Sequence, residues 1–355
     1  MTRKITLIIA SLLVIASVNS CAYAQKDTAK KKKKNFTFTA MPLVSFDRSK
    51  GFGLGVMAMG FFKMSKDTVT PLSRIGLIAQ YTTKHNWFLM SYQQLYLKHD
   101  DWRVIAAEGL GNSNFQTYTE QPDIGEIIVP YNTKFDLLYL NVLRRVWNRL
   151  YAGASIQYLK ATTVFSEQGL PDYSVVQHMN AFGITTQFDQ RKNIYNPDND
   201  IYANIRFQAN PYWLGNDNAF SKLTADINYY KRLDSTKVLA SRMALQIGLG
   251  NLPFVGQSYI GGRDIRGYTK GEYRGNQTYT AQTELRWNFY KKWGMVGFVG
   301  AGIAIDSSGK SSPVLPGIGA GIRYKVIPKQ GINAGIDAAV GKNDWGLYFR
   351  ITEAF

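Results

Sequence analysis

Cysteine is almost missing from this chain: its 355 residues include one, Cys21. That excludes an internal disulfide framework and a cysteine-built metal site. Histidine is scarce as well. His85, His99 and His178 have no Cys or His neighbours at metal-ligand spacing. A nucleophilic Ser–His pair needs an orienting third group, and neither His85, in a short loop after Lys84, nor His99, in a turn, sits in such a context. We therefore expect no enzyme activity, no cofactor and no metal. Long apolar runs are also absent. Ile5–Val18 is too short to cross a bilayer as a helix, and no later window approaches the ~18 residues a transmembrane helix needs. Helical periodicity is lacking throughout. Gly51-Phe52-Gly53-Leu54-Gly55 starts a strand, not a helix, and so is not a phosphate loop. Acidic residues are few, 25 against 42 Lys and Arg, for a net charge of +17. The excess is spread over an exported chain, which argues against a nucleic-acid partner.

The export signal is at the start. Arg3 and Lys4 precede the apolar Ile5–Val18 segment, and Ala22-Tyr23-Ala24 forms a small-residue cleavage site, so cleavage is expected after Ala24. Lipoprotein processing at Cys21 competes poorly, because Asn19 is too polar for that signal. The expected organisation is a signal peptide at 1–24, a basic flexible tail at 25–35 and a barrel domain at 36–355. Lys30 to Lys34 is an unbroken run. Such a run is ordinarily solvated, and near an anionic lipid surface it would add attraction.

Strand patterning fills the rest. Leu239, Ser241, Met243, Leu245, Ile247 and Leu249 alternate with Ala240, Arg242, Ala244, Gln246 and Gly248. Residues 201–209 and 222–230 alternate in the same way, with Arg206, Lys222 and Asp226 on the second face. Charges on that face exclude a dry sandwich core. A polar inside and an apolar outside describe a β-barrel in lipid. Lipid offers no water to bare strand edges, so the sheet must close. Sixteen segments can be marked off between 36 and 355, the last at 345–355. The fold class expected is thus all-β: a closed antiparallel transmembrane β-barrel of about 16 strands in the bacterial outer membrane. The connections 113–131, 165–177, 211–219, 251–276 and 306–313 are expected as extracellular loops.

Four short motifs stand out. Gly262-Arg263-Asp264-Ile265-Arg266-Gly267-Tyr268 lies in the longest loop. Gln282-Thr283-Glu284-Leu285-Arg286 follows on the next strand, where alternation turns Glu284 inward. Phe188-Asp189-Gln190-Arg191-Lys192-Asn193 runs into Asn196-Pro197. The chain ends Phe349-Arg350-Ile351-Thr352-Glu353-Ala354-Phe355, an amphipathic strand with a terminal aromatic and Glu353 interrupting its apolar row.

Together these motifs resemble the BamA/TamA superfamily of outer-membrane barrels, also known as the bacterial surface antigen family. The resemblance implies that loop 251–276 folds into the lumen, with Gly262, Arg266, Gly267 and Tyr268 as its motif and Glu284 as the partner of Arg266. It implies a turn motif at Asp189, Arg191, Asn193 and Pro197, and a C-terminal targeting strand carrying Phe349, Ile351 and Phe355. Two departures qualify it. The family's Phe-x-Asp-x-Gly strand here reads Phe298-Val299-Gly300-Ala301-Gly302, which leaves Glu284 as the main acid for Arg266 and offers room at Gly300 and Gly302. Barrel patterning also begins soon after the cleavage site, as in a short, barrel-only branch without POTRA domains. Outer-membrane lipids are the expected surroundings, and client or partner outer-membrane proteins the expected partners. Two functions fit. One is insertion or translocation of proteins at a weakly paired seam between first and last strands, by β-augmentation. The other is a gated or plugged transport channel, or a structural barrel subunit of an outer-membrane complex.

Overall fold

Among the described residues, sixteen strands, joined in sequence order, make up one antiparallel sheet. The structure, a computed structural model, describes residues 36–47, 51–67, 69–121, 125–165 and 173–355. The expected cleavage site and basic tail lie outside the described residues. The strands are β1 (Phe36–Asp47), β2 (Gly51–Phe62), β3 (Ser73–Thr82), β4 (Trp87–Leu97), β5 (Trp102–Gln121), β6 (Gly125–Trp147) and β7 (Leu150–Phe165). β8 has two pieces, Tyr173–His178 and Ala181–Asp189, both registered on β7. Then follow β9 (Ile201–Asn210), β10 (Phe220–Arg232), β11 (Lys237–Gly250), β12 (Gln277–Tyr290), β13 (Trp293–Ile305), β14 (Leu315–Ile327), β15 (Ile332–Gly341) and β16 (Asp344–Ile351). A two-residue hairpin, Ser258–Tyr259 with Arg274–Gly275, lies within the loop after β11.

Alternation sets the two faces. On β12, Leu285, Trp287 and Phe289 are 39–49% exposed, whereas Glu284 is fully buried and Arg286 nearly so. On β11, Met243 and Leu249 are exposed while Ala240 and Arg242 are buried. An exposed apolar exterior around a buried polar interior is the lipid-facing arrangement. Exposed aromatics around the β12–β13 turn, Trp287, Tyr290 and Trp293, with Tyr324 opposite Trp293 on β14, supply part of an interfacial girdle.

An even strand number puts Phe36 and Phe355 at one end of the barrel, here the terminal end; the other is the far end. Closure is incomplete. Every neighbouring pair from β1–β2 to β15–β16 has a continuous register, but among the described residues no ladder joins β16 to β1. Pro42 sits inside β1 opposite Val56. Proline survives in a ladder only where its ring nitrogen faces away from the partner strand, so its missing N–H falls on the seam side. β1 and β16 nevertheless lie side by side, so the closed antiparallel barrel expected from sequence is found nearly closed, with one unladdered seam among the described residues between its first and last strands.

Two connections are corrected. Residues 113–121 and 125–131, expected as an extracellular loop, continue β5 and β6 out to the pair Gln121↔Gly125. Residues 173–177 likewise belong to β8, pairing from Phe165↔Tyr173 to Lys160↔His178. Beyond the bilayer a strand has water on both faces, so hydrophobic alternation fades although the ladder persists. The third correction is at the end: β16 stops at Ile351, and Thr352 turns the backbone with φ +79°.

Candidate functional site

Seven residues in from the far end of β12, about 23 Å along the strand, Glu284 points inward and is fully buried. Arg266, from the loop after β11, donates to it: Nη2 lies 2.8 Å from Glu284 Oε2. The other guanidinium nitrogen, Nη1, donates to Asp337 Oδ2 on β15 at 2.7 Å. The flat face of the guanidinium lies 3.4 Å from the ring centre of Phe298 on β13. Arg266 therefore meets two carboxylates and an aromatic ring while its own side chain is shielded from solvent.

The acids are shared. Glu284 Oε1 accepts from Arg286 Nε at 2.7 Å, and Asp337 Oδ1 accepts from Arg323 Nη1 at 2.5 Å. Arg350 Nε approaches Asp337 at 3.0 Å. Glu353, beyond β16, accepts from Arg323 Nε at 3.0 Å and from Asn333 at 2.5 Å. Buried charges are tolerable only when paired and hydrogen-bonded, and here each acid serves at least two donors.

Backbone contacts fix the rest of the loop motif. Gly267 N–H donates to Tyr348 Oη at 2.8 Å, and Tyr268 Oη donates to the Pro316 carbonyl at 2.6 Å. Thr269 N–H donates to Asp344 at 2.5 Å. Ile260, Ile265, Tyr268, Ala304 and Leu315 form a buried apolar cluster beside these contacts. Ile265 Cδ1 would stand 3.0 Å from a Cβ at Gly300, and Ile260 Cδ1 3.0 Å from one at Gly302. The glycine that replaces the family's acid on this strand is thus where the loop's isoleucine packs. Gly262 has φ +79° and lies near the Lys270 side chain.

Gly267 has the strictest requirement. Its φ is +103°, and an added Cβ would stand 2.6 Å from the Val340 carbonyl carbon. Gly267→Ala should cost about 2–3 kcal/mol from strain and forced backbone movement. Limited proteolysis would check it: cleavage within 251–276 should rise sharply. Unchanged protection would show that the loop tolerates the side chain.

The turn motif is at the terminal end. Asp189 accepts from Arg191 Nε at 2.8 Å and from Arg103 Nη1 of β5 at 2.6 Å. Asn193 donates to the Gln330 carbonyl at 2.8 Å and Tyr195 to the Leu72 carbonyl at 2.6 Å. Pro197 is buried in the same turn. Tyr195 also packs with Leu43, Met57, Phe61, Ile332 and Ile351. The turn leaves the barrel between β8 and β9 yet touches residues of β1, β2, β15 and β16, so it crosses the terminal mouth to both sides of the seam.

Phe349 and Ile351 occupy the outward phase of β16, with Phe349 opposite Ile336, but Ile351 is buried in that same cluster. Phe355 leaves the sheet altogether. It is buried with Tyr230, Ala240 and Ala354, and its carbonyl accepts from Arg286 Nη2 at 2.8 Å. The histidines lie apart from all this. His178 N–H donates to Asp217 at 3.0 Å, which holds that exposed loop carboxyl below its ordinary range. His85 Nδ1 shares a hydrogen bond with Tyr81 Oη at 2.8 Å. His99 Nε2 is 3.9 Å from Asp67.

Sequence reasoning found Glu284 through its phase but did not single out Asp337 as a partner of Arg266. It did not pick out Phe298, Arg323 or Arg103 as partners. Inward phase marks Asp337, Arg323 and Arg103, but nothing local ties residues on separate strands to one loop arginine.

Comparison with known proteins gives a concordant result. A family model described as the Omp85 superfamily domain matches residues 73–328. Among solved structures, the chain is similar to BamA from Haemophilus ducreyi lacking POTRA domains 1-3, with TM-score 0.57, 13% identity, and coverage of 91% of this chain and 71% of that one. It is also similar to CdiB from Acinetobacter baumannii, with TM-score 0.59, 15% identity, and coverage of 90% and 60%. For CdiB from Escherichia coli the TM-score is 0.61, the identity 11%, and the coverage 91% and 63%. The chain therefore spans less than two thirds of either CdiB chain. No curated protein matches in sequence.

Proposed function

Since the chain belongs to the Omp85 superfamily of outer-membrane β-barrels, we propose that it assists insertion or translocation of proteins at the outer membrane, using the seam between β1 and β16. The observation that carries this reading is the unladdered edge. Strand edges in lipid are costly unless paired, so a barrel that keeps one exposes main-chain donors and acceptors to an incoming strand. Addition of a client strand there is β-augmentation, in which main-chain hydrogen bonds give affinity and alternate side chains give selectivity. Pro42 keeps one seam-side position from pairing, which lowers the cost of opening. Loop 251–276 is read as a lumen loop whose Arg266 holds the wall formed by β12, β13 and β15 while the seam works. Mature protein would begin after Ala24, and Phe349, Ile351 and Phe355 would serve as its own targeting signal.

Depleting the protein in its host and quantifying the outer-membrane proteome tests the reading. A defined set of outer-membrane or surface proteins should fall at least several-fold, with their transcripts unchanged. An intact proteome combined with altered permeability to small solutes would instead favour a gated channel, the reading suggested by the cationic interior described next.

A further inference from the structure

The interior contains a second, separate feature. A cavity of about 400 Å³ lies against the inner faces of β3–β6 and β8–β11. The turn after β8 contributes Arg191 and Tyr195 to its wall, and the loop after β11 contributes Arg263 and Asp264. Both sequence motifs thus border one chamber.

Its charges do not balance. Five guanidiniums line it, from Arg74, Arg191, Arg206, Arg242 and Arg263, against the carboxylates of Asp226 and Asp264. Arg242 engages both of those acids, at 2.6 Å and 2.9 Å. Arg191 is held by Asp189 at 2.8 Å. That leaves Arg74, Arg206 and Arg263, none of which has a carboxylate within ion-pair distance among the described residues. Arg206 Nη1 donates only to Tyr139 Oη, at 3.0 Å, and its buried Nε has no partner. Arg74 lies over the rings of Tyr92 and Tyr195, at 5.1 Å and 5.5 Å from their centres, and its buried Nε is likewise unpartnered. The contrast with Arg266 is sharp, because there the same fold surrounds guanidiniums with acids.

We propose that this chamber is a binding site for a small phosphate-bearing anion. Three guanidiniums without an ion-pair partner face one space, which keeps a net positive charge after Asp226 and Asp264 are counted; low-dielectric walls focus that potential, and an anion relieves the repulsion. Guanidinium forks match the oxygens of a phosphate group geometrically and form charge-assisted hydrogen bonds with them. The Tyr139 hydroxyl of the wall, which accepts from Arg206, adds a neutral donor. The volume lies within the range of small-molecule sites, which run from about 300 to 1,000 Å³. The site is independent of the seam, so it holds whichever function the barrel has.

The test is calorimetric titration of the mature barrel in zwitterionic detergent. One arm uses sodium pyrophosphate, a free phosphate compound. The other uses short-chain phosphatidylglycerol, a lipid headgroup. Saturable binding in either arm is expected, and the tighter arm identifies the source. Arg206→Gln and Arg263→Gln should each weaken it by about 10-fold, the worth of one hydrogen bond to a charged group. Arg263→Lys should lose less, and Lys231→Gln, on the exposed rim, should change nothing. Heat-modifiable gel mobility verifies that each variant is folded. The proposal fails if the wild-type barrel gives no saturable heat in either arm, if folded variants bind equally well, or if chloride at equal concentration competes as effectively as pyrophosphate.

Discussion

Arg266→Ala should destabilise the folded barrel by about 3–5 kcal/mol, the cost of removing one partner from a buried ion pair. The alanine leaves Glu284 and Asp337 without a donor at 2.8 Å and 2.7 Å, in a place where the arginine's side chain was shielded from water. The lower part of that range is expected, because Arg286 and Arg323 still reach the same two acids. Arg266→Lys should recover little. One ammonium cannot reproduce a fork that addresses two acids on different strands while lying flat on Phe298. Urea titration in detergent, followed by heat-modifiable gel mobility, measures the loss. Glu284→Ala alone should also destabilise, and the double variant should cost clearly less than the sum of the singles, since each single already breaks the same contact. Asp337→Asn should couple to both. Strict additivity among these positions would mean that the cluster is three unrelated contacts rather than one network.

The parts of this architecture that were legible in the sequence are those governed by local period. Leu285, Trp287 and Phe289 facing lipid, with Glu284 and Arg286 facing in, follow from a repeat of two and a solvent that is apolar on one side only. Where the solvent changes, the signal goes. Beyond the bilayer, Ser113–Gln121 of β5 has no reason to alternate apolar with polar, so the strand reads as loop although its ladder runs on to Gly125. The acid partners of Arg266 were half legible for a related reason. Glu284 lies 18 residues away on the next strand, whereas Asp337 lies 71 residues away, brought in by closure of the sheet and not by any local pattern. Gly300, standing where the family has its acid, left Glu284 as the main acid expected for Arg266 and pointed to no second one. Pro42 was visible throughout, and its significance required knowing that β1 has a ladder on one side only.

Deleting Phe355 should have two separable effects. The residue is not the end of the outward row that its position in sequence suggested. Thr352 turns the backbone off the sheet, and the last residues run inward toward β10 and β11. Glu353, which interrupts the apolar row, has its reason there: it accepts from Arg323 and Asn333 and lies 4.0 Å from Arg286. Phe355 then packs on Tyr230, with ring centres 6.5 Å apart, and its carbonyl meets Arg286. Losing that ring forfeits about 2–3 kcal/mol of apolar burial. It also withdraws one acceptor from Arg286, the residue that shares Glu284 with Arg266. Purified and refolded in detergent, the truncated barrel should therefore be less stable and should release loop 251–276 to protease more readily than wild type. In the cell the effect should be larger than that stability loss predicts, because the terminal aromatic would also be the mark read during assembly, before any of these contacts exist. Phe355→Trp separates the two: it keeps a terminal aromatic but overfills the pocket beside Tyr230 and Ala240, so cellular levels should hold while stability in detergent falls. If instead the tryptophan variant disappears from the outer membrane while refolding normally in detergent, the targeting role assigned to this end is wrong, and its importance lies in folding alone.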